Sequence, residues 1–328
     1  MRKRREGKAL NLHTETTMRA ILAGLTVLLV VGCAGPETAT ETREQAQALV
    51  DGTWLRDNLD AVVVLDIRAD RADQRPYEAG HVPGAVHSPY GQDPWRVTRD
   101  GLPGMLPPVE DLERLIGGLG ISNDDHVVIV SAGRSAGDLG SSTRVYWEFK
   151  VLGHDRVSIL NGGFTAWANA GYPTEIGRSQ PTATIYTADY QPQLVASAED
   201  VVAALESGVP LIDARSESQY RGEVKSRVAA RYGTISGAKN LPGAALTVGD
   251  VGTFASAEVV ASLWAAAGLP AQGEQVAFCS TGHAASLAWF AAYELIGNKE
   301  AKLYDASLAE WSAFPDLPMD NTDNPNRQ

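Results

Sequence analysis

The sequence predicts an α/β protein with two tandem repeats, each a mostly parallel sheet flanked by helices. Three observations support this fold class. Segments recur in one order at nearly one offset, short continuous apolar runs alternate with longer helical patterns, and 44% of residues are hydrophobic against 21% charged. Continuous β-branched runs are typical of strands covered on both faces, and their alternation with helices favours parallel sheets.

Internal repetition defines the domains. Four pairs of segments match: 62–68 with 209–215, 80–85 with 233–238, 126–130 with 275–278, and 160–167 with 304–311, at offsets of 144 to 153 residues. A length of 328 residues suits two domains. We therefore divide the chain into a signal peptide (1–32), a polar tether (33–44), a first repeat (45–177), a linker (178–193), a second repeat (194–320) and a disordered tail (321–328).

The elements follow from local patterns. Apolar runs predict strands at 62–65, 127–130, 157–160 and 276–278, and helical patterns cover 109–119, 143–152, 198–206, 256–267 and 285–296. Ser197, followed by Glu199 and Asp200, is typical of a helix N-cap with acids in the first turn.

Charge and residue counts exclude several functions. The net charge of −12 argues against a nucleic-acid partner. Two cysteines and six histidines leave little material for a structural metal site or a disulfide framework.

The N-terminus has the pattern of an export signal. Basic residues precede a 12-residue apolar run at 20–31, too short to span a bilayer, and the run leads to Gly32 and Cys33. This pattern resembles a bacterial lipobox and predicts lipidation of Cys33, which anchors the protein at the cell envelope, on the outer membrane of a cell that has one. The alternatives are an ordinary secretory signal or a retained anchor, and Met18 is an alternative start.

One strand-to-helix loop concentrates the chemistry. It comprises Cys279, Ser280, Thr281, Gly282, His283 and Ala284. At the carboxyl end of a parallel strand, a loop of small residues can turn its amides inward and, with the helix N-terminus, favour a thiolate. Cys279 is therefore the predicted nucleophile, with a buried structural cysteine as the alternative. For His283 we consider three roles: it hydrogen-bonds an anionic substrate, it supports the thiolate, or it caps the helix.

These motifs together resemble the tandem-domain rhodanese sulfurtransferases. An Asp-x-Arg strand end, the Gly-His-Val-Pro-Gly-Ala segment at 80–85, the loop headed by Cys279 and the closing segments ending at Trp167 and Trp311 carry the resemblance, which covers most of 45–320. It implies that the second repeat is catalytic and that the first, with Ser131 in place of the cysteine, is scaffold. It also implies sulfur transfer through a Cys279 persulfide, from thiosulfate or mercaptopyruvate to cyanide, a thiol or a protein cysteine, without metal or organic cofactor.

The same resemblance suggests residues that bind the substrate. It places Arg215 toward the substrate, beside the loop residues 280–284, with an ion pair to Glu223 as the alternative. Thr281 favours a mercaptopyruvate-type donor. The segment 88–96 either covers the cleft and adds Arg96 to it, or forms a surface loop, which we favour.

Other functions fit less well. A phosphatase loop needs an arginine six positions after the cysteine, where this chain has Ala285. Disulfide exchange needs a second cysteine in the loop. The main alternative is a non-catalytic tandem-rhodanese lipoprotein that binds a partner or senses redox state.

Overall fold

The computed structural model describes residues 46–72, 74–248 and 252–321. The strands of the first repeat are β1 (Leu49–Val50), β2 (Val63–Asp66), β3 (Val86–His87), β4 (Val97–Arg99), β5 (Leu102–Met105), β6 (Val127–Val130) and β7 (Val157–Leu160). Its helices are α1 (Gly52–Asp57), α2 (Pro76–Ala79), α3 (Val109–Gly118), α4 (Ala136–Val151) and α5 (Gly163–Asn169). The predicted signal peptide, the predicted tether with Cys33, and residues 322–328 of the predicted tail lie outside the described residues.

The second repeat has a matching set of elements. Its strands are β8 (Val195–Ala196), β9 (Leu211–Asp213), β10 (Thr234–Ile235), β11 (Lys239–Asn240), β12 (Gln275–Phe278), β13 (Ala301–Tyr304) and β14 (Met319–Asp320). Its helices are α6 (Ala198–Ser207), α7 (Glu217–Tyr220), α8 (Ala257–Ala266), α9 (His283–Phe290) and α10 (Ser307–Trp311), and a π-helical segment, Ala291–Ile296, continues α9. In the part of the chain that the structure covers, no helix is both long enough and apolar enough to cross a membrane.

Each repeat contains a five-stranded parallel sheet with the same strand order. The orders are β1-β7-β6-β2-β3 and β8-β13-β12-β9-β11. The predicted fold class and duplication are thus confirmed. The domain boundaries set above stay predictions.

Most predicted elements are found, with two corrections at helix starts. The strands at 127–130 and 157–160 coincide with β6 and β7, and Ser197 caps α6 in a reciprocal capping box with Asp200. The helix placed at 143–152 begins at Ala136, because Ser135 accepts a hydrogen bond from the Asp138 amide and caps it there. Helix α9 begins at His283 rather than at 285, so His283 and Ala284 form its first turn.

Helices α4 and α9, which follow the central strands β6 and β12, pack against each other across the two repeats. The hydroxyls of Thr143 and Ser286 lie 2.7 Å apart, and both residues are fully buried. Gly140 permits this approach, since a Cβ there would lie 2.8 Å from Nε2 of His283. The carboxyl ends of both sheets therefore open beside one shared interface.

Each repeat also sends a crossing segment to the other. The antiparallel hairpin β4–β5 turns at Asp100 and Gly101, both with positive φ, and Met105 packs in the core of the second repeat. In the opposite direction, the Phe254 amide donates to Oδ1 of Asn161 at 3.0 Å. The sequence patterns did not predict this exchange.

Candidate active site

The Cys279 loop is positioned by the central strand of the second sheet. Strand β12 ends at Phe278, and Cys279 follows with 3% of its surface exposed and no disulfide partner among the described residues. Gly282 adopts a left-handed conformation (φ +74°) as the N-cap of α9. The chain thus turns from strand to helix in four residues, 279–282, a reversal that glycine permits at little cost.

Ser307 fixes two amides of this loop. Its Oγ accepts hydrogen bonds from the amides of Cys279 and Gly282, each at 3.1 Å, and donates to the Tyr304 carbonyl at 2.8 Å. Ser307 has a left-handed backbone (φ +52°), which is unusual for a non-glycine residue. Sequence reasoning missed this residue, although the repeat alignment pairs it with Gly163, which has φ +56°.

The rest of the loop is anchored through its carbonyls. The amides of Leu308 and Ala309 donate to the carbonyls of Cys279 and Ser280, at 3.2 and 3.0 Å. No described residue accepts a hydrogen bond from the amides of Ser280, Thr281, His283 and Ala284. Four of the six loop amides are therefore available to an anionic sulfur species, and the other two, those of Cys279 and Gly282, are used by Ser307.

A buried charge cluster lies directly behind Gly282. Arg144 of α4 donates to Glu148 (2.8 Å) and to Asp305 (2.5 Å), and Asp305 also accepts from the Leu106 amide (2.6 Å). Burial raises the pKa of Glu148 to about 7 despite the Arg144 charge. A Cβ at Gly282 would lie 2.6 Å from Nη1 of Arg144, so the cluster requires glycine in the loop.

His283 connects the loop to the first repeat. Its Nε2 lies 3.2 Å from the Gly137 carbonyl and its Nδ1 lies 2.9 Å from the Tyr90 hydroxyl. Because a carbonyl only accepts, Nε2 carries the proton and Tyr90 donates to Nδ1. Burial, reinforced by the charge of Arg96, lowers the pKa of His283 to about 4, so the ring is neutral at pH 7. Both ring nitrogens are used, and a substrate-binding role for His283 stays a prediction.

Arg96 reaches the active loop from the first repeat. Its Nε donates to the Gly104 carbonyl at 3.0 Å, and its Nη2 donates to the Thr281 carbonyl. Ser88 and Trp95, at the two ends of the preceding segment, are fully buried. The favoured surface-loop interpretation of 88–96 is therefore wrong for Arg96, which this segment carries to the catalytic loop. Gly91, Gln92 and Pro94, in the middle of the segment, are exposed.

Arg215 lies in a buried ion pair at the end of β9. Its Nε and Nη2 donate to Asp213, and Nη2 also donates to the Gly233 carbonyl at 2.8 Å. The alternative partner, Glu223, pairs with Arg221 instead. Arg68 makes the same bonds to Asp66 and Gly80 in the first repeat.

This duplication indicates that the Asp-x-Arg pair is structural in both repeats. Nη1 of Arg215 donates to no described residue, and it is the atom left for a ligand. Substrate binding by Arg215, and by the loop residues 280–284, stays a prediction. Ser280, Thr281 and Gly282 stand beside Cys279, and Ala284 follows in the first turn of α9.

This fold and this loop define a class of protein. The family model "Rhodanese-like domain" matches residues 51–170 and 197–314. The chain belongs to the rhodanese family, with one rhodanese-like domain in each repeat, and it is a sulfurtransferase.

Individual relatives cover almost the whole of both repeats. The chain is 33% identical to a "Putative thiosulfate sulfurtransferase" of Haloferax volcanii, over 83% of this chain and 96% of the relative. It is 31% identical to the "Sulfur carrier protein TtuD" of Thermus thermophilus, over 83% of this chain and 96% of that protein. Among solved structures, SseA of Escherichia coli, described as a 3-mercaptopyruvate sulfotransferase, superposes with a TM-score of 0.68 at 26% identity, covering 80% of this chain and 99% of SseA.

Proposed function

We propose that Cys279 carries sulfane sulfur between a small donor and a thiophilic acceptor by double displacement. The observation that carries this proposal is the position of Cys279 at the carboxyl end of β12, in a loop with four amides that donate to no described residue. Such amides stabilise negative charge on a terminal sulfur without a metal or cofactor.

Sulfur transfer takes two steps, and in each step one bond to sulfur forms while another breaks. With thiosulfate as donor, the Cys279 thiolate attacks the outer sulfur, the sulfur–sulfur bond breaks, and sulfite leaves with the electron pair. With mercaptopyruvate, the carbon–sulfur bond breaks and pyruvate leaves after taking a proton. In the second step cyanide, a thiolate or a protein cysteine attacks the terminal sulfur, and the Cys279 thiolate is released.

Thiosulfate and 3-mercaptopyruvate are the donors to compare first. The Haloferax relative is named for thiosulfate and SseA for 3-mercaptopyruvate. A hydroxyl at Thr281 favours the mercaptopyruvate type, while Thr281 also offers its carbonyl to Arg96. Steady-state rates with each donor, with cyanide and thiol acceptors varied in turn, decide between them.

The direct test is formation of the persulfide. After exposure to thiosulfate or mercaptopyruvate, the parent protein gains about 32 Da, one sulfur atom on its thiol. Cys279→Ser gains nothing and transfers no sulfur, whereas Ser131→Ala retains rates near the parent. Equal sulfur transfer by parent and Cys279→Ser excludes the proposed nucleophile.

A non-catalytic, partner-binding or redox-sensing role is the second candidate. The low exposure of Cys279, 3%, favours it, because a buried thiol is often inert. That role predicts no added sulfur in the parent, so the mass measurement separates the two.

We also propose that the mature protein is anchored to the cell envelope through lipid on Cys33. The apolar run at 20–31 and the small residue before Cys33 support this proposal. Labelled palmitate is expected in the parent and not in Cys33→Ala. Incorporation into both variants contradicts a lipidated Cys33.

A further inference from the structure

The first repeat contains a cavity where the second repeat has its nucleophile. The cavity has a volume of about 240 Å³ and lies at the carboxyl ends of β2 and β6. Ser131, which occupies the position of Cys279 in the repeat, lines it together with Arg68, Arg71 and Arg134. Ser131 and Arg68 are buried, whereas Arg71 and Arg134 are exposed.

Two of these lining side chains have polar atoms without a protein partner. Ser131 is 4% exposed, and its Oγ makes no hydrogen bond to a described residue. Arg68 is 6% exposed and uses Nε and Nη2 on Asp66 and Gly80, which leaves Nη1 unbonded within the described ranges. Because both side chains line the cavity, these two polar atoms are available to a ligand bound in it.

The backbone of the loop that begins at Ser131 also has donors without a described partner. Gly163 stands where the second repeat has Ser307, so no serine hydroxyl accepts from the amides of this loop. The Thr165 hydroxyl binds the loop differently, by donating to the Ala132 carbonyl at 2.7 Å. The amides of Ser131, Ala132 and Gly133 donate to no described residue. Together with the N-terminus of the 16-residue helix α4, they form a set of donors suited to an anion.

The charge of the lining is positive. From Ser131 to the helix cap Ser135 this loop is one residue longer than the loop from Cys279 to Gly282, and it includes Arg134, whereas the catalytic loop has no arginine. The lining carboxylate, Asp138, accepts from the Arg134 amide at 2.9 Å and lies 3.9 Å from its Nε. With the ion pair between Arg68 and Asp66, three guanidinium groups face two carboxylates, so the lining has an excess of one positive charge.

We propose that this cavity binds a small tetrahedral oxyanion of the sulfate, thiosulfate or phosphate type. The hydroxyl at Ser131 cannot accept sulfane sulfur, so the anion binds and is released unchanged. Tyr90 lines the cavity and also donates to His283 of the catalytic loop, so the bound anion lies next to a residue that contacts both repeats. This site is separate from the sulfur transfer at Cys279.

A single reporter thiol tests the site. In the full chain, Ser131→Cys combined with Cys33→Ser and Cys279→Ser leaves residue 131 as the one cysteine. Its alkylation by iodoacetate and by iodoacetamide is followed by intact mass, and each rate is divided by the rate for N-acetylcysteine. Sulfate, thiosulfate, phosphate and neutral dimethyl sulfone are then added as competitors, and thermal unfolding checks the fold.

We expect the normalised preference for the anionic reagent to be about tenfold, the effect of one charge-assisted hydrogen bond. The three oxyanions should slow alkylation in a saturable way and dimethyl sulfone should not. The order among the oxyanions identifies the ligand. Adding Arg134→Gln should remove most of the preference, whereas Arg114→Gln, at an exposed side chain of α3, should not. The proposal is overturned if the normalised preference for iodoacetate equals that of N-acetylcysteine and no oxyanion slows alkylation. It is also overturned if the thiol at residue 131 reacts with neither reagent, because a cavity closed to both admits no oxyanion.

Discussion

Removing the Ser307 hydroxyl tests the architecture of the catalytic loop most directly. Ser307→Ala leaves the amides of Cys279 and Gly282 without their acceptor, in a residue that is fully buried. An unsatisfied buried donor costs about 1–3 kcal/mol, so we expect the free energy of unfolding to fall by about 3 kcal/mol. Displacement of the loop by about 1 Å should lower kcat/KM for sulfur transfer about 100-fold.

Ser307→Gly distinguishes the effect of losing the hydroxyl from the effect of the left-handed backbone. A left-handed conformation costs a non-glycine residue about 1–2 kcal/mol, and glycine avoids most of this cost. Ser307→Gly should therefore be about 1 kcal/mol more stable than Ser307→Ala. Both variants lack the hydroxyl and should lose the same activity.

Urea unfolding gives the stabilities, and thiocyanate formation from thiosulfate and cyanide gives kcat/KM. Ser312→Ala is the matched control, because Ser312 is also buried and bonded, to the Ala230 amide and the Leu308 carbonyl, without touching the loop. It should lose stability and keep its activity. Parent-like kcat/KM in Ser307→Ala would refute the idea that these two amides must be held in place.

Three further outcomes follow from the same site. Gly282→Ala places a Cβ 2.6 Å from Nη1 of Arg144 at positive φ. Its free energy of unfolding in urea should fall by more than about 2 kcal/mol, about 1 for the backbone and the rest for the clash. The control Gly208→Ala, also at positive φ but with open space around it, should lose about 1 kcal/mol of stability and no activity. Arg96→Gln removes the bond to the Thr281 carbonyl and should lower kcat/KM about tenfold with unchanged secondary structure by circular dichroism; an unchanged kcat/KM would show that this bond is dispensable. Because the pKa of His283 is lowered from 6.5 to about 4, the unfolded chain binds more protons than the folded protein between these pH values. The free energy of unfolding should therefore fall as the pH drops from 6.5 to 4, by at most about 3 kcal/mol from this ring. An equally steep loss of stability in His283→Gln would assign the pH dependence to other groups.

The sequence was sufficient for the sheets and for the nucleophile because both depend on local patterns. Continuous apolar runs located β6 and β7 to the residue, and the loop that follows β12 stands out by composition. Helix α4 was placed too late because its first turns contain glycine and serine, residues with low helix propensity. Only the Ser135 cap marks its true start.

The contacts between repeats could not be predicted in the same way. Arg96 lies 185 residues from Thr281, and Arg144 lies 161 residues from Asp305. No periodicity or spacing signals such long-range pairs, which depend on how two sheets pack. Ser307 had a signal of its own, because the duplication aligns it with a glycine, Gly163, and both residues have a left-handed backbone. Ala306, which aligns with the left-handed Gly162, does not keep that conformation.

That alignment shows how one duplicated fold has separated into two different loops. The strand order and the Asp-x-Arg ion pair are retained in both repeats, so these features serve folding. The differences lie where the central strand ends: Cys279 and Ser307 in the second repeat, Ser131 and Gly163 in the first. A serine that keeps a left-handed backbone costs stability, and glycine at the equivalent position shows that the fold does not require it. The cost is explained if the hydroxyl holds the loop around a sulfur that must be attacked twice from a defined direction. In the first repeat no such reaction needs a fixed loop. The amides of Ser131, Ala132 and Gly133 and Nη1 of Arg68, which donate to no described residue, suit reversible binding of an anion instead.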